Sequence, residues 1–317
     1  MSGLGRGLVA AALTPFVDGT TSTDDEQFAA QLRFIAASRP VAVAVAAVEV
    51  QEYHVLTLEQ RAGLVRQAAD ALGDVPVIGG VSHADLRQSI ELAGVMADAG
   101  ARFVLAVASQ KPWGAAPTSS ELVTWYHQLA DASPLPVLLY GNPRTGTEPS
   151  VEAIVEICRH PNVAAMKETS RSVIKLLRLC DEVDVAGHAR VYTNMESIRA
   201  TLDAGGSGAM LPPPALGLAT DLVRAVQDGD AEEARRLQAF FGRFPSAWMG
   251  LGLGPAMKAS MRLVGCDVGD PVHPFDALGP EQVETMREYL AGWGLVAEPG
   301  RDPAEPTDSS TDPEGDE

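Results

Sequence analysis

Two stretches, Val137-Leu138-Leu139-Tyr140-Gly141-Asn142-Pro143 and Val163-Ala164-Ala165-Met166-Lys167, decide how this chain folds. Each is a short, almost wholly apolar run that ends on a polar residue and is followed by an amphipathic segment. Runs this short and this apolar suit strands covered on both faces by helices, which is the environment of a parallel sheet. Working outward, comparable runs occupy Leu8–Thr14, Val41–Glu49, Val75–Val81, Phe103–Ala108, Val183–Gly187 and Gly208–Leu211, with helical periodicity between them, as in Asp25–Ser38, Leu58–Leu72 and Met195–Ala204. Eight βα units in succession favour the α/β class and a closed (β/α)8 TIM barrel over an open doubly wound sheet. No G-x-G-x-x-G follows the first run, which weighs further against the open sheet. The barrel is expected over residues 1–230. A helical extension is expected over 231–296, where apolar residues recur at helical spacing with no strand between them, and a disordered acidic tail over 297–317.

The composition is that of a globular protein: 46% hydrophobic and 21% charged over 317 residues. The formal charge is −18, of which the stretch 298–317 carries about −7, so the body itself is acidic. An acidic body repels phosphate backbones and anionic lipid, which disfavours nucleic-acid and membrane-surface partners. Three widely spaced cysteines, Cys158, Cys180 and Cys266, form no C-x-x-C pair and have no histidine at zinc spacing, so they read as reduced packing residues. The apolar run near the N-terminus ends in Thr14-Pro15 and is too short to span a membrane. A cytoplasmic protein is expected.

In a barrel of this kind the reactive groups lie at the C-terminal ends of the strands. Lys167 closes one such run and is one of four lysines. Apolar neighbours disfavour the ammonium form, lower the amine's pKa and leave a nucleophile able to attack a carbonyl. The plain alternative is a lysine that leaves the strand end to pair with Glu168. Tyr140 closes the preceding run, and adjacent strand ends place its hydroxyl within proton-relay reach of Lys167.

These residues carry a resemblance to the dihydrodipicolinate synthase/N-acetylneuraminate lyase family over about Gly7 to Leu295. Ala12-Leu13-Thr14-Pro15-Phe16 resembles the family's first strand. Glu52, followed by Leu56-Thr57-Leu58-Glu59-Gln60-Arg61, resembles its second loop and helix start. Met166-Lys167-Glu168-Thr169-Ser170 resembles the Schiff-base lysine strand, and Tyr140-Gly141-Asn142-Pro143 is similar to the tyrosine strand end in a form nearer the hydratase-aldolase branch. The resemblance implies that Lys167 forms an imine with a small carbonyl substrate and that Tyr140 relays protons. It also implies a homotetramer or dimer, with neither a metal nor an organic cofactor.

The chain departs from the family at two places. Where the family has a Gly-Thr-Thr-Gly-Glu loop after the second strand, whose hydroxyls and amides bind the carboxylate of a 2-oxo acid, this chain has Val48-Glu49-Val50-Gln51-Glu52. Both hydroxyls are lost, and Glu49 would meet the substrate carboxylate. Two like charges about 4 Å apart repel by about 4 kcal/mol at an effective dielectric near 20, roughly a thousandfold in affinity. Ordinary pyruvate is therefore expected to be a poor substrate, with Glu49, Val50, Gln51 and Asn142 setting specificity. After the fourth strand the family often has a Pro-Tyr-Tyr segment whose second tyrosine completes a relay across a subunit interface. Ala108-Ser109-Gln110-Lys111-Pro112 has no tyrosine, which leaves Ser109 as the substrate-binding candidate.

His188, placed after the seventh run, is expected at the same mouth, where it would titrate near neutrality. The glycine-rich Ala204–Gly208 precedes the eighth run, on the opposite face, and reads as a tight turn. Asn194 and Ser197 read as helix caps. The leading expectation is an aldolase or hydratase-aldolase type lyase. The rivals are an imine-forming dehydratase or condensing enzyme and a non-catalytic binding paralogue.

Overall fold

The structure, a computed structural model, describes residues 3–108, 115–143 and 148–297. Eight parallel strands close into a barrel among them: β1 (Gly7–Ala11), β2 (Ala42–Val45), β3 (Val77–Gly80), β4 (Phe103–Ala106), β5 (Val137–Gly141), β6 (Val163–Glu168), β7 (Arg190–Thr193) and β8 (Gly208–Leu211), with β8 returning to pair with β1. The α/β barrel read from the sequence is the fold. Buried from end to end, β2, β3, β4, β5 and β8 show why their sequences read as unbroken apolar runs.

The crossover helices are α1 (Asp25–Ala37), α2 (Leu58–Leu72), α3 (Leu86–Asp98), α4 (Ser119–Ala132), α5 (Val151–Cys158), α6 (Val173–Leu179), α7 (Ile198–Asp203) and α8 (Leu216–Gln227). The first six begin at a capping side chain: Asp24, Thr57, Asp85, Thr118, Ser150 and Ser172 each accept a hydrogen bond from a backbone N–H in the first turn. These caps satisfy donors that a helix start leaves open and so fix where each βα loop ends.

Val183–Gly187, read as the seventh strand, is helical. Leu176, Leu179, Cys180 and Val183 form one buried stripe at helical spacing, so α6 runs on through Cys180–Val185 and closes with a wide turn in which the Ala186 N–H bonds the Asp181 carbonyl. Asp184, near the end of this segment, is a fully buried carboxylate. It accepts the Val191 N–H at 2.8 Å and pairs with Arg6 at 3.0 Å and Arg190 at 3.4 Å, and these contacts seat the true β7. His188 therefore precedes β7, exposed at the N-terminal end of the barrel and opposite the mouth where it was expected.

Two glycines are required by close approach. A Cβ at Gly80 would stand 1.8 Å from the Ala46 carbonyl oxygen, and one at Gly208 would stand 1.9 Å from that of Gly7. Beyond the barrel lie α9 (Ala231–Arg243), α10 (Leu253–Leu263) and α11 (Pro280–Ala291), and an aromatic cluster joins α9 to α11, in which Phe240 stacks on Phe244 at 5.1 Å and on Tyr289 at 5.4 Å. Lys258 of α10, 1% exposed, reaches the turn after β2, where its Nζ lies 2.7 Å from Glu52 Oε2 and donates to the Asp270 carbonyl at 2.8 Å. Among the described residues no helix is long and apolar enough to cross a membrane.

Candidate active site

Lys167 and Tyr140 face each other because β5 and β6 are in register at these two residues and both lie at the C-terminal end of their strands. Lys167 Nζ stands 4.8 Å from the centre of the Tyr140 ring. Both side chains are almost wholly buried and line a cavity of about 420 Å³ at the barrel mouth. Loss of hydration pushes the Lys167 amine down to about 8, against the opposing pull of Glu49 and Glu196. Burial and the neighbouring Glu49 carboxylate hold the Tyr140 phenol well above its ordinary value, so it keeps its proton at neutral pH. The Tyr140 oxygen accepts from Asn142 Nδ2 at 3.1 Å. Glu168, the alternative partner for Lys167, is instead engaged by Lys175 at 3.3 Å and by the Ser170 N–H.

Glu49 is placed by a short 3-10 turn, Glu49–Gln51, that follows β2. The side chain of Gln51 is 0% exposed and acts as a four-point pin: its oxygen accepts the Ala47 and Val48 N–H groups, and its nitrogen donates to the Ala12 and Ala44 carbonyls. Thr14 adds a hydroxyl donor to the Gln51 carbonyl at 2.6 Å. Glu52 follows in the left-handed conformation (φ 54°), accepts the Val272 N–H at 2.8 Å and holds Lys258. With its backbone tied on both sides, the turn presents Glu49 and Val50 to the cavity. Oε1 of Glu49 is buried there without a hydrogen-bond partner.

The sequence-predicted residues thus divide. Lys167, Tyr140, Asn142, Glu49 and Val50 come together in one cavity. Gln51 does not set specificity by contact, because its amide is consumed by the backbone pin behind the wall. Ser109 lies outside the described residues, and His188 is on the far side of the barrel.

Sequence reasoning missed part of the rim. Arg171 and Glu196 line the cavity and pair at 2.6 Å, and Asn194, read only as a cap, lines it too. The misplaced β7 hid these last two, since Asn194 follows the true strand directly. The extension, read as structural, supplies Pro245, Met249 and Leu253 to the apolar side of the cavity. Periodicity reveals a helix there but not which barrel end it covers.

Fold and site together define a (β/α)8 barrel whose mouth holds a depressed-pKa amine beside a protonated phenol. The model of the dihydrodipicolinate synthetase family matches residues 5–292. The chain is 31% identical to 4-hydroxy-tetrahydrodipicolinate synthase 1 of Streptomyces coelicolor over 253 residues, covering 77% of this chain and 80% of that one. It is 29% identical to the 4-hydroxy-tetrahydrodipicolinate synthase of Mycobacterium leprae over 235 residues, 73% of this chain and 76% of the relative. In fold it is similar to dihydrodipicolinate synthase of Thermotoga maritima, with a TM-score of 0.85 at 22% identity over 92% of this chain and all of that one. It is also similar to a prophage protein of the dihydrodipicolinic acid synthase family from E. coli K12, solved with pyruvate (TM-score 0.84, 24% identity, 92% and 99% covered). The chain belongs to the dihydrodipicolinate synthetase family, a family of aldolase-type lyases.

Proposed function

We propose that this protein is a Schiff-base-forming lyase of the aldolase or hydratase-aldolase type that acts on a small carbonyl compound other than ordinary pyruvate. The observation that carries the reading is the buried Lys167 amine, near pKa 8, standing 4.8 Å from the ring of a protonated Tyr140 in the cavity at the barrel mouth. The amine adds to the carbonyl, and loss of water leaves an iminium that accepts electrons while a neighbouring C–C or C–O bond breaks or forms. Tyr140 moves the accompanying protons. Glu49 on the cavity wall supports the exclusion of a 2-oxo acid carboxylate, because its anion takes the place of the hydroxyl donors such a group needs.

A homotetramer or dimer is proposed as the assembly, supported by Val173, Ile174 and Leu177 of α6, which are 48–77% exposed and apolar. A cytoplasmic location is proposed with it, in keeping with three buried free cysteines.

The test is borohydride reduction with pyruvate or with a set of non-acidic aldehydes and ketones, followed by intact mass measurement, with Lys167→Ala as control. Adducts with non-acidic carbonyls that vanish in the control are expected. A strong pyruvate adduct would overturn the substrate reading, and the absence of any Lys167-dependent adduct would overturn the imine.

A further inference from the structure

We infer that Glu49 is the proton partner of Tyr140, so that the Lys167–Tyr140–Glu49 chain moves protons within one subunit and needs no tyrosine from a neighbour. The inference rests on the imine reading above and deepens it. Three observations carry it. The Glu49 carboxylate lines the same cavity as Tyr140 and Lys167 and lies near enough to the phenol to raise its pKa, while Asn142 Nδ2 donates to the phenol oxygen and leaves its proton for an acceptor. Glu49 Oε1 is buried in the cavity without a partner, an acceptor left open beside the reacting groups. The turn bearing Glu49 is pinned by Gln51 and by the Glu52–Lys258 pair, so the backbone from which the carboxylate projects into the cavity is fixed.

The protons balance along this chain. Starting from the Lys167 ammonium and the Glu49 carboxylate, one proton passes through the Tyr140 hydroxyl to Glu49 and frees the amine. The amine nitrogen bonds the carbonyl carbon and the C=O π pair moves to oxygen. Transfer of a proton from nitrogen to that oxygen through Tyr140 gives the neutral carbinolamine. Glu49 then returns its proton through Tyr140 as the C–O bond breaks, water leaves, and the nitrogen lone pair forms the iminium. Glu49 ends as it began. In the next stage the same carboxylate takes up, again through Tyr140, the proton lost from the carbon next to the iminium. The charged or titratable groups facing Glu49 are Tyr140 on β5, Lys167 on β6 and Tyr53 beside its own turn, with Arg171 and Glu196 across the cavity.

The experiment follows exchange of the hydrogens next to the carbonyl for deuterium, by NMR in D2O. The probes are acetone, hydroxyacetone, acetaldehyde and pyruvate, and the one exchanged fastest by the wild-type enzyme is carried forward. Glu49→Gln should slow exchange about a hundredfold, within the usual range for one general acid-base group. The borohydride-trapped adduct should still form on long incubation, the bend that Lys167 gives the exchange pH profile should move to lower pH, and Glu49→Asp should restore part of the rate. A Glu49→Gln enzyme that forms the adduct and exchanges within about threefold of wild type, with an unchanged pH profile, would overturn the inference alone. No Lys167-dependent exchange with any probe would overturn the imine reading and the inference with it.

Discussion

The depressed pKa of Lys167 sets a measurable pH profile. An ordinary lysine amine sits at 10.5, and burial brings this one to about 8. At pH 7 roughly one Lys167 in ten is then neutral, against about one in three thousand for an unperturbed lysine, an advantage of about 300-fold in nucleophile. Timed borohydride quenching should show the rate of Lys167 adduct formation rising about tenfold from pH 6 to pH 7, bending near pH 8 and flattening above pH 9. The sign of a second change follows from the causes of the shift. Glu49 opposes the depression by favouring the ammonium, so Glu49→Gln should move the bend to lower pH even as it lowers the height of the curve. Glu196→Gln should move it the same way by less. A bend at pH 10 or above, or an upward move in Glu49→Gln, would refute the reasoning that desolvation governs this amine.

Other expectations follow from the same contacts. Glu49→Thr removes the carboxylate and puts back a hydroxyl, so pyruvate adduct formation should rise by up to about a thousandfold, read by the same mass measurement. Lys258→Met leaves the buried Glu52 carboxylate uncompensated and should cost about 3–5 kcal/mol in urea unfolding, most of it regained in Lys258→Met/Glu52→Gln. Ile174→Asp places a charge on the most exposed apolar residue of α6 and should lower the sedimenting mass of the assembly without lowering the thermal midpoint of the subunit.

Much of this was legible because burial on both faces leaves an unmistakable mark. Strands β5 and β6 have no alternation to confuse with a helix, and their terminal Tyr140 and Lys167 stand out against apolar runs. The seventh strand failed for a physical reason. Val183-Asp184-Val185 alternates like a strand, yet Val183 completes a helical stripe begun at Leu176, and the polar Asp184 is buried only because Arg6, Arg190 and the Val191 N–H meet it. Counting the period from Val173 onward would have exposed the helix and moved attention from His188 to Asn194. The role of Gln51 was beyond reach of the sequence. Its four partners come from the residue after β1, from β2 and from the loop that follows β2, and nothing local distinguishes a pinning amide from a substrate contact. The same holds for Lys258, whose partner Glu52 is remote in sequence.

The turn after β2 separates two duties by position. Residues 49 and 50 line the cavity, while residues 51 and 52 hold the backbone through contacts outside it. Variation at the first pair can therefore redirect which carbonyl is accepted while the stability of the mouth, vested in the second pair, stays intact. A library confined to positions 49 and 50 would sample new chemistries on a scaffold that does not have to be rescued at every step.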